Sequence, residues 1–400
     1  MPSSASWRTP FLIIVVGCLI ALLTNGPRTS MGLFLTPMSD ANDWPREVFA
    51  LALAIQNLLW GAMQPVFGGL ADRYGTSKVL IVGALLYVAG LVAMAFSDTP
   101  TLLYLSAGVI TGVAISAATF FMVITAFSRL LPEDKRLVGF GLATAAASMG
   151  QFIFAPLSVG FIDAFGWQTA LILLAVTAFG IAILAPVVES RGSVADGPTQ
   201  TFREAITEAF QHRSYVLLVF GFFVCGFHIA FITVHLPPYL GDIGLGVHWA
   251  AWAIAIVGLF NVIGSYGAGI LSGRMPKQYL LSAIYAIRSV VILLFLLIPV
   301  SVPTVLLFSA AMGLLWLSTV PPTSGLVAVM FGTRYMGMLF GFVFFSHQVG
   351  AFIGVWLGGR LYDTTGSYDV VWWLSVALGL FAALVHWPIK EAPVERPQTA

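Results

Sequence analysis

The chain has 400 residues, of which 59% are hydrophobic and 9% are Asp, Glu, Lys or Arg, and its formal net charge is +1. Its mean hydropathy of +0.94 and the scarcity of charge, against about 25% in soluble domains, exclude a soluble globular protein. The cations are scattered among loops, which excludes a nucleic-acid surface, and Cys18 and Cys225 both fall in apolar runs, which argues against a disulfide framework or a metal site.

Apolar runs of about twenty residues recur from end to end, so the fold class read here is an all-α membrane protein. Twelve transmembrane helices are expected, at roughly 11–38, 46–71, 78–97, 101–127, 137–163, 167–187, 214–240, 248–272, 278–298, 302–330, 338–363 and 367–388. The first run lacks a small-residue cleavage site and carries an arginine, so it reads as a retained helix. That arginine lies in Asn25-Gly26-Pro27-Arg28-Thr29-Ser30-Met31-Gly32. A charge at mid-depth costs about 2.5–3.5 kcal/mol on insertion scales and should face protein or water. Pro27 removes a backbone hydrogen bond and should kink the helix beside it. In the second run Gln56, Trp60 and Gln64 form an i, i+4, i+8 stripe with Asn57 beside it. In the tenth, Pro321-Pro322 should break the helix.

The one long connection, 188–213, carries Gly192, Gly197, Pro198 and mixed charges, then Phe202, Ile206 and Phe210 at helical spacing. It reads as a cytoplasmic linker with a short amphipathic helix, between an N-terminal six-helix bundle (1–187) and a C-terminal one (214–400). With both termini inside, fourteen of the 18 Lys and Arg residues fall on the cytoplasmic side. Arg46 and Arg360 fall outside, and Arg28 and Arg288 in mid-span. This predicts a multi-pass cell-membrane protein with cytoplasmic termini. The halves echo each other: Gly68 and Gly269 are 269 − 68 = 201 apart, as are Gly112 and Gly313, while Gly141 and Gly341, Gly150 and Gly350, and Asp163 and Asp363 are 200 apart. Two pseudo-symmetric six-helix bundles in parallel repeat are the layout of a transporter that rocks one half against the other.

After the second span stands Gly68-Gly69-Leu70-Ala71-Asp72-Arg73-Tyr74-Gly75. Gly68 permits tight helix contact, Asp72 can pair with a cation and Gly75 permits a sharp turn. This segment resembles the signature of the major facilitator superfamily, and the resemblance covers the whole chain. It implies the major facilitator fold and, at Gly68, Asp72, Arg73 and Gly75, a cytoplasmic gating motif. Gly150-Gln151-x-x-x-Ala155-Pro156-Leu157, Phe165-Gly166-Trp167, Trp44-Pro45-Arg46-Glu47 and Asn57-x-x-Trp60-Gly61 resemble the bacterial relatives of monocarboxylate porters and oxalate/formate exchangers. Those porters carry an Asp and an Arg in the eighth span, where Asn261 and Ser265 stand here. The resemblance also implies that the first span lines the cavity and that the ninth is peripheral.

No Asp or Glu lies at mid-span, so Arg28 and Arg288 have no buried carboxylate partner in the sequence. An unpaired buried cation is costly, and a guanidinium fork matches a carboxylate. An anionic substrate would supply the missing charge. The expected substrate-binding residues are Arg28 and Asn25, with Arg288, Gln56, Asn57, Asn261, His228, His347 and Gln348. Arg288 could instead tie its helix to Asn261 or Tyr266. His228 and His347 are the candidates for proton coupling, and a core histidine that only holds a hydrogen bond is the competing reading for each. Phe120, Phe121, Phe227, Phe344, Phe345 and Trp316 read as packing first and as apolar pocket walls second.

The function read from these features is secondary transport of a small organic anion, monocarboxylate-like, by alternating access, with protons as a candidate coupling ion. Exchange or efflux of larger aromatic or amphiphilic compounds is the alternative. No enzyme activity and no cofactor are expected, since no mid-membrane catalytic constellation is visible. The expected partners are the substrate, the bilayer and protons, with the chain acting as a monomer.

Overall fold

A computed structural model of the chain describes residues 8–190, 202–332 and 336–394. Among the described residues every regular element is helical, and eleven stretches are long and apolar enough to cross a bilayer. One of them, Val138–Val188, holds two spans, because Gly166 sits at φ +77° and breaks its helix. Glycine takes that φ without steric cost. Twelve spans result, numbered here along the chain: Pro10–Asn42, Arg46–Ala71, Thr76–Ala95, Pro100–Leu130, the two parts of Val138–Val188, Arg213–Asp242, Val247–Ser272, Lys277–Leu297, Val302–Phe331, Met338–Thr365 and Asp369–His386. A further helix at Phe202–Gln211 precedes span 7, where the amphipathic pattern placed it. Residues 191–201 of the expected linker lie outside the described residues.

Local chemistry explains the ends and the breaks. Thr9 caps span 1 by accepting from the Leu12 amide at 3.2 Å. Span 1 runs past its expected end to Asn42, with a 3₁₀ turn at Met31–Phe34 just beyond Pro27 and Arg28. Span 10 is interrupted before Val320, and Pro321 and Pro322 occupy the first turn of its second piece, Val320–Phe331. The prolines therefore start a helix rather than break one, since their missing N–H groups fall where no acceptor is needed. Span 4 is interrupted at the matching place, before Phe120.

The repeat is visible in the packing. A side chain at Gly112 would collide with Gln56 and Leu59, and one at Gly313 with Val257 and Phe260. Both partners shift by the same offset, since 257 − 56 and 260 − 59 are each 201. Small residues here let backbones approach closely within each half.

Between the halves, span 2 runs against span 11 and span 5 against span 8. On the face that carries Arg46, a Cβ at Gly359 would lie 2.6 Å from the Ala50 Cβ. At mid-depth one at Gly61 would lie 2.7 Å from the Gln348 Cγ, and one at Gly258 2.8 Å from the Ser148 carbonyl oxygen. On the opposite face, which carries Arg8 and Glu391, Gly68, Gly141, Gly269 and Gly341 have nothing within 4 Å among the described residues. These four are seven or eleven residues from Gly61, Ser148, Gly258 and Gln348, so they share the same helix faces. The halves are sealed at one face and splayed at the other.

Candidate functional site

The first helix runs through Pro27 to Thr29 without a recorded break, and Arg28 stands near the middle of span 1, just before the 3₁₀ turn. Its Nη2 donates to the Asn57 Oδ1 at 2.8 Å, and its guanidinium carbon lies 4.1 Å from the centre of the Trp60 ring. Asn57 and Trp60 are neighbours on one side of span 2, so a single helix supplies both contacts. The Arg28 Nε is buried with no hydrogen-bond partner, and among the described residues no carboxylate pairs with this side chain. Tyr87 of span 3, 1% exposed and with an unpartnered hydroxyl, lies within electrostatic reach.

Aromatic contacts carry the site into the second half. Trp60 meets Phe344 edge-on at 5.2 Å, Phe121 meets Phe344 at 5.4 Å, and Phe344 stacks on His347 at 5.6 Å. Around this cluster the Trp60 Nε1, the Gln64 Oε1, the His347 Nδ1 and both ends of the Gln348 amide are buried without a partner. Each such group costs about 1–3 kcal/mol when nothing satisfies it, and native interiors leave few of them. The arrangement offers a bound molecule a guanidinium with a free edge, several N–H donors and aromatic walls. Cation–π contact with Trp60 stabilises the charge without consuming its hydrogen bonds.

Several expected residues are committed elsewhere. The Asn25 Nδ2 donates to the Ala147 carbonyl at 2.8 Å, and the Gln56 Nε2 to the Ala107 carbonyl at 2.8 Å, so both tie helices within the first half. Asn261 donates to the Ser148 Oγ at 2.9 Å and accepts from Ser265 and the Leu317 amide. It bridges spans 5, 8 and 10 instead of binding Arg288. Arg288 is fully buried and donates to the carbonyls of Leu315 and Trp316. Its Nη1 approaches the Cys225 sulphur at 3.5 Å. The expected tie to Asn261 or Tyr266 is absent because Tyr266 is 74% exposed and the carbonyls freed at the span 10 break lie nearer. His228 faces span 12, with its Nε2 on the Ser375 carbonyl at 2.8 Å. This is the core-histidine reading, and it takes His228 away from the aromatic cluster.

The glycine-rich signature lies on the splayed face. Gly68 expected a close neighbour and has none, because the halves part at that face. Gly75 does make the sharp turn, at φ +100°, with the Glu189 carboxylate so close that a side chain would collide with it. Arg73 is exposed and lies over the Tyr74 ring at 5.2 Å. The side chain of Asp72 lies outside the described residues.

Sequence reading missed what seals the other face. Arg46 at the start of span 2 forms a two-pronged pair with Asp242 of span 7, both contacts at 2.6 Å, and reaches the Tyr368 hydroxyl at 3.0 Å. Its guanidinium lies 3.9 Å from the Tyr362 ring centre. The Asp363 carboxylate accepts from the Arg46 and Glu47 amides at 3.1 and 2.6 Å. Glu47 accepts from Trp356 at 3.2 Å and from Arg360 at 3.0 Å. Burial holds the Tyr368 phenol above its usual range, with Arg46 opposing, so it stays a neutral member of the network. The available signal was that Arg46 and Arg360 were the only basic residues placed on that side, with Glu47, Asp242 and Asp363 at the neighbouring span ends.

The profile described as Major Facilitator Superfamily matches residues 18–355. The chain belongs to the major facilitator superfamily. It is a membrane transporter that binds a small solute, and not an enzyme. Among superfamily relatives, the uncharacterised transporter YcxA of Bacillus subtilis is 26% identical, with 91% of each chain covered. Monocarboxylate transporter 13 of Bos taurus is 24% identical over 99% of this chain and 94% of its own. Monocarboxylate transporter 11 of Homo sapiens is 27% identical over 98% and 84%. In fold, the chain matches a D-xylose–proton symporter with a TM-score of 0.73 at 15% identity, covering 96% and 99%. It matches an inward-facing, occupied bacterial homologue of the lysosomal transporter Spinster with a TM-score of 0.75 at 12% identity, covering 94% and 95%.

Proposed function

We propose that this transporter is a secondary carrier of small organic anions, monocarboxylate-like in class, working by alternating access. The observation that carries the reading is Arg28: a mid-depth guanidinium whose Nε is buried and unpartnered among the described residues, resting on Trp60 and donating to Asn57. A carboxylate would satisfy the free edge in the geometry guanidinium groups favour. The names of the monocarboxylate transporters among the relatives support the same class. Unpartnered Gln348 and Trp60, from opposite halves, are the further groups placed to meet the substrate, and His347 lies beside them. Arg28, Asn57, Trp60 and Gln348 thus form the proposed contact set, while Asn25, Gln56 and Asn261 position helices. The basic-residue asymmetry supports cytoplasmic termini in a cell membrane, which makes the splayed face the cytoplasmic one. The carrier is then inward-facing here, acting as a monomer.

The aromatic cluster of Trp60, Phe121, Phe344 and the neighbouring Phe120 favours one variant of this reading, in which the acid is larger and aromatic. A thermal-shift series of aliphatic and aromatic acids against purified protein separates the two by rank order. The decisive test is Arg28→Ala in proteoliposomes. Apparent affinity for the best-ranked acid should fall at least tenfold, about 1.4 kcal/mol, with the melting profile retained. Unchanged affinity would overturn the anion-anchor reading.

A further inference from the structure

A second cation lies in the membrane with its own unsolved charge balance. Arg288 of span 9 is 0% exposed, and among the described residues no carboxylate pairs with it. Its contacts are two backbone carbonyls, Leu315 and Trp316, and one sulphur, that of Cys225 at 3.5 Å from Nη1. Carbonyl dipoles ease the burial of a guanidinium, but they do not cancel its charge.

The groups facing it from the packed elements can be named. Cys225 comes from span 7, and Tyr285 from span 9 itself, its ring centre 5.3 Å from the guanidinium carbon. Thr319, at the span 10 break, has its hydroxyl 3.3 Å from the Cys225 sulphur. His347 of span 11 lies beside this stretch of span 7, its ring centre 5.2 Å from that of Phe222 and its carbonyl oxygen where a side chain at Gly226 would collide. His228 is one turn along span 7 but is committed to the Ser375 carbonyl. His386 of span 12 stacks on Tyr285 at 4.9 Å and holds the Ala382 carbonyl. Of these, only a thiol and a phenol can become anions. The ordinary thiol ionises near 8.5 and the ordinary phenol near 10, and the thiol lies at the guanidinium nitrogen with a hydroxyl beside it.

We propose that Cys225, held as a thiolate by Arg288 and Thr319, is a buried proton-binding site that opens to the substrate cavity through His347. A hydronium in the cavity gives its proton to one ring nitrogen of His347 as the other ring nitrogen gives its own proton to the sulphur, so an S–H bond forms, water is released and His347 ends neutral. The pair then changes from net neutral to net positive. Arg288 loses its counter-charge while it still holds the carbonyls at the span 10 break, so the proton state is read at the place where span 10 is interrupted. His347 also stacks on Phe344, which abuts Trp60 under Arg28, so the proton site and the proposed anion site share one wall. The coupling role rests on the carrier reading above, whereas the charge state of the sulphur does not.

Infrared spectroscopy of the S–H stretch tests the charge state directly, because few other protein groups absorb in that window. Cys18→Ala leaves Cys225 as the sole thiol. In that variant the band should be absent at neutral pH and grow as pH falls. Cys18→Ala/Cys225→Ser should show no band at any pH, and Cys18→Ala/Arg288→Leu should show it already at neutral pH. A full-strength band across the pH range with Arg288 intact would overturn the proposal. For coupling, Cys225→Ser should keep substrate exchange across vesicles and lose the acceleration that an imposed pH gradient gives the unsubstituted carrier. Retained acceleration, or none in the unsubstituted protein, would overturn the coupling role. Loss of exchange in Arg28→Ala bears on the anion site alone, so the two readings fail separately.

Discussion

The two seams between the halves are related by the internal repeat, yet they are built differently. Where span 11 ends against the start of span 2, Asp363 accepts two amides and Arg46 grips Asp242. Where span 5 ends against the start of span 8, the equivalent Asp163 pairs, among the described residues, with His248 alone, at 3.4 Å with side chains 47% and 71% exposed. At mid-depth the order reverses. Spans 5 and 8 are tied there by Gln151 to the Ile254 carbonyl at 3.1 Å and by Asn261 to Ser148. Spans 2 and 11 meet through Gly61 and a Gln348 amide that has no hydrogen-bond partner among the described residues. One seam is locked at its rim and free in its middle; the other is bonded in its middle and loose at its rim. The unsatisfied mid-depth groups of the proposed anion site lie along the first seam, and the Arg46 and Asp363 contacts lie at the rim of that same seam.

Substitutions can break this comparison in order of expected size. Gly359→Ala places a methyl 2.6 Å from the Ala50 Cβ, and overpacking of this kind costs about 1–3 kcal/mol. The sealed face should open, shown by a shift in spin-label distances across it, and an unchanged distribution would mean that the seam gives way locally. Arg46→Ala removes the two-pronged pair, the Tyr368 contact and the stacking on Tyr362. It should shift the equilibrium reported by those distances by about 1–2 kcal/mol, since charge-assisted bidentate contacts exceed isolated surface pairs. Asp163→Asn, on the loose rim, should leave the distribution and the melting profile where they were. A shift as large as that of Arg46→Ala would show the seams to be equivalent after all.

Much of the fold was legible because it is periodic. Span lengths, the repeat offset and the turn at Gly75 are properties of local sequence, and Gly166 sat between two predicted spans. Arg28 was legible because a charge inside an apolar run is costly wherever the chain goes. Pairings across the halves were not. Asp242 lies 196 residues from Arg46, and no local pattern links them. Cys225 looked like any small apolar residue until Arg288 came within 3.5 Å. The reading of Arg288 as a bridge to Asn261 failed because the carbonyl groups at the span 10 interruption, which a residue string does not display, competed better.

Asp363 leaves span 2 without an end cap of its own. The first amides of that helix are satisfied by a carboxylate from the other half, and Pro45, in the capping position, has no side-chain acceptor to offer. When the rim opens, those amides must turn to water, so the first turn of span 2 should fray in step with opening. Hydrogen exchange at Arg46 and Glu47 would then act as a clock for the conformational cycle, needing neither label nor substrate.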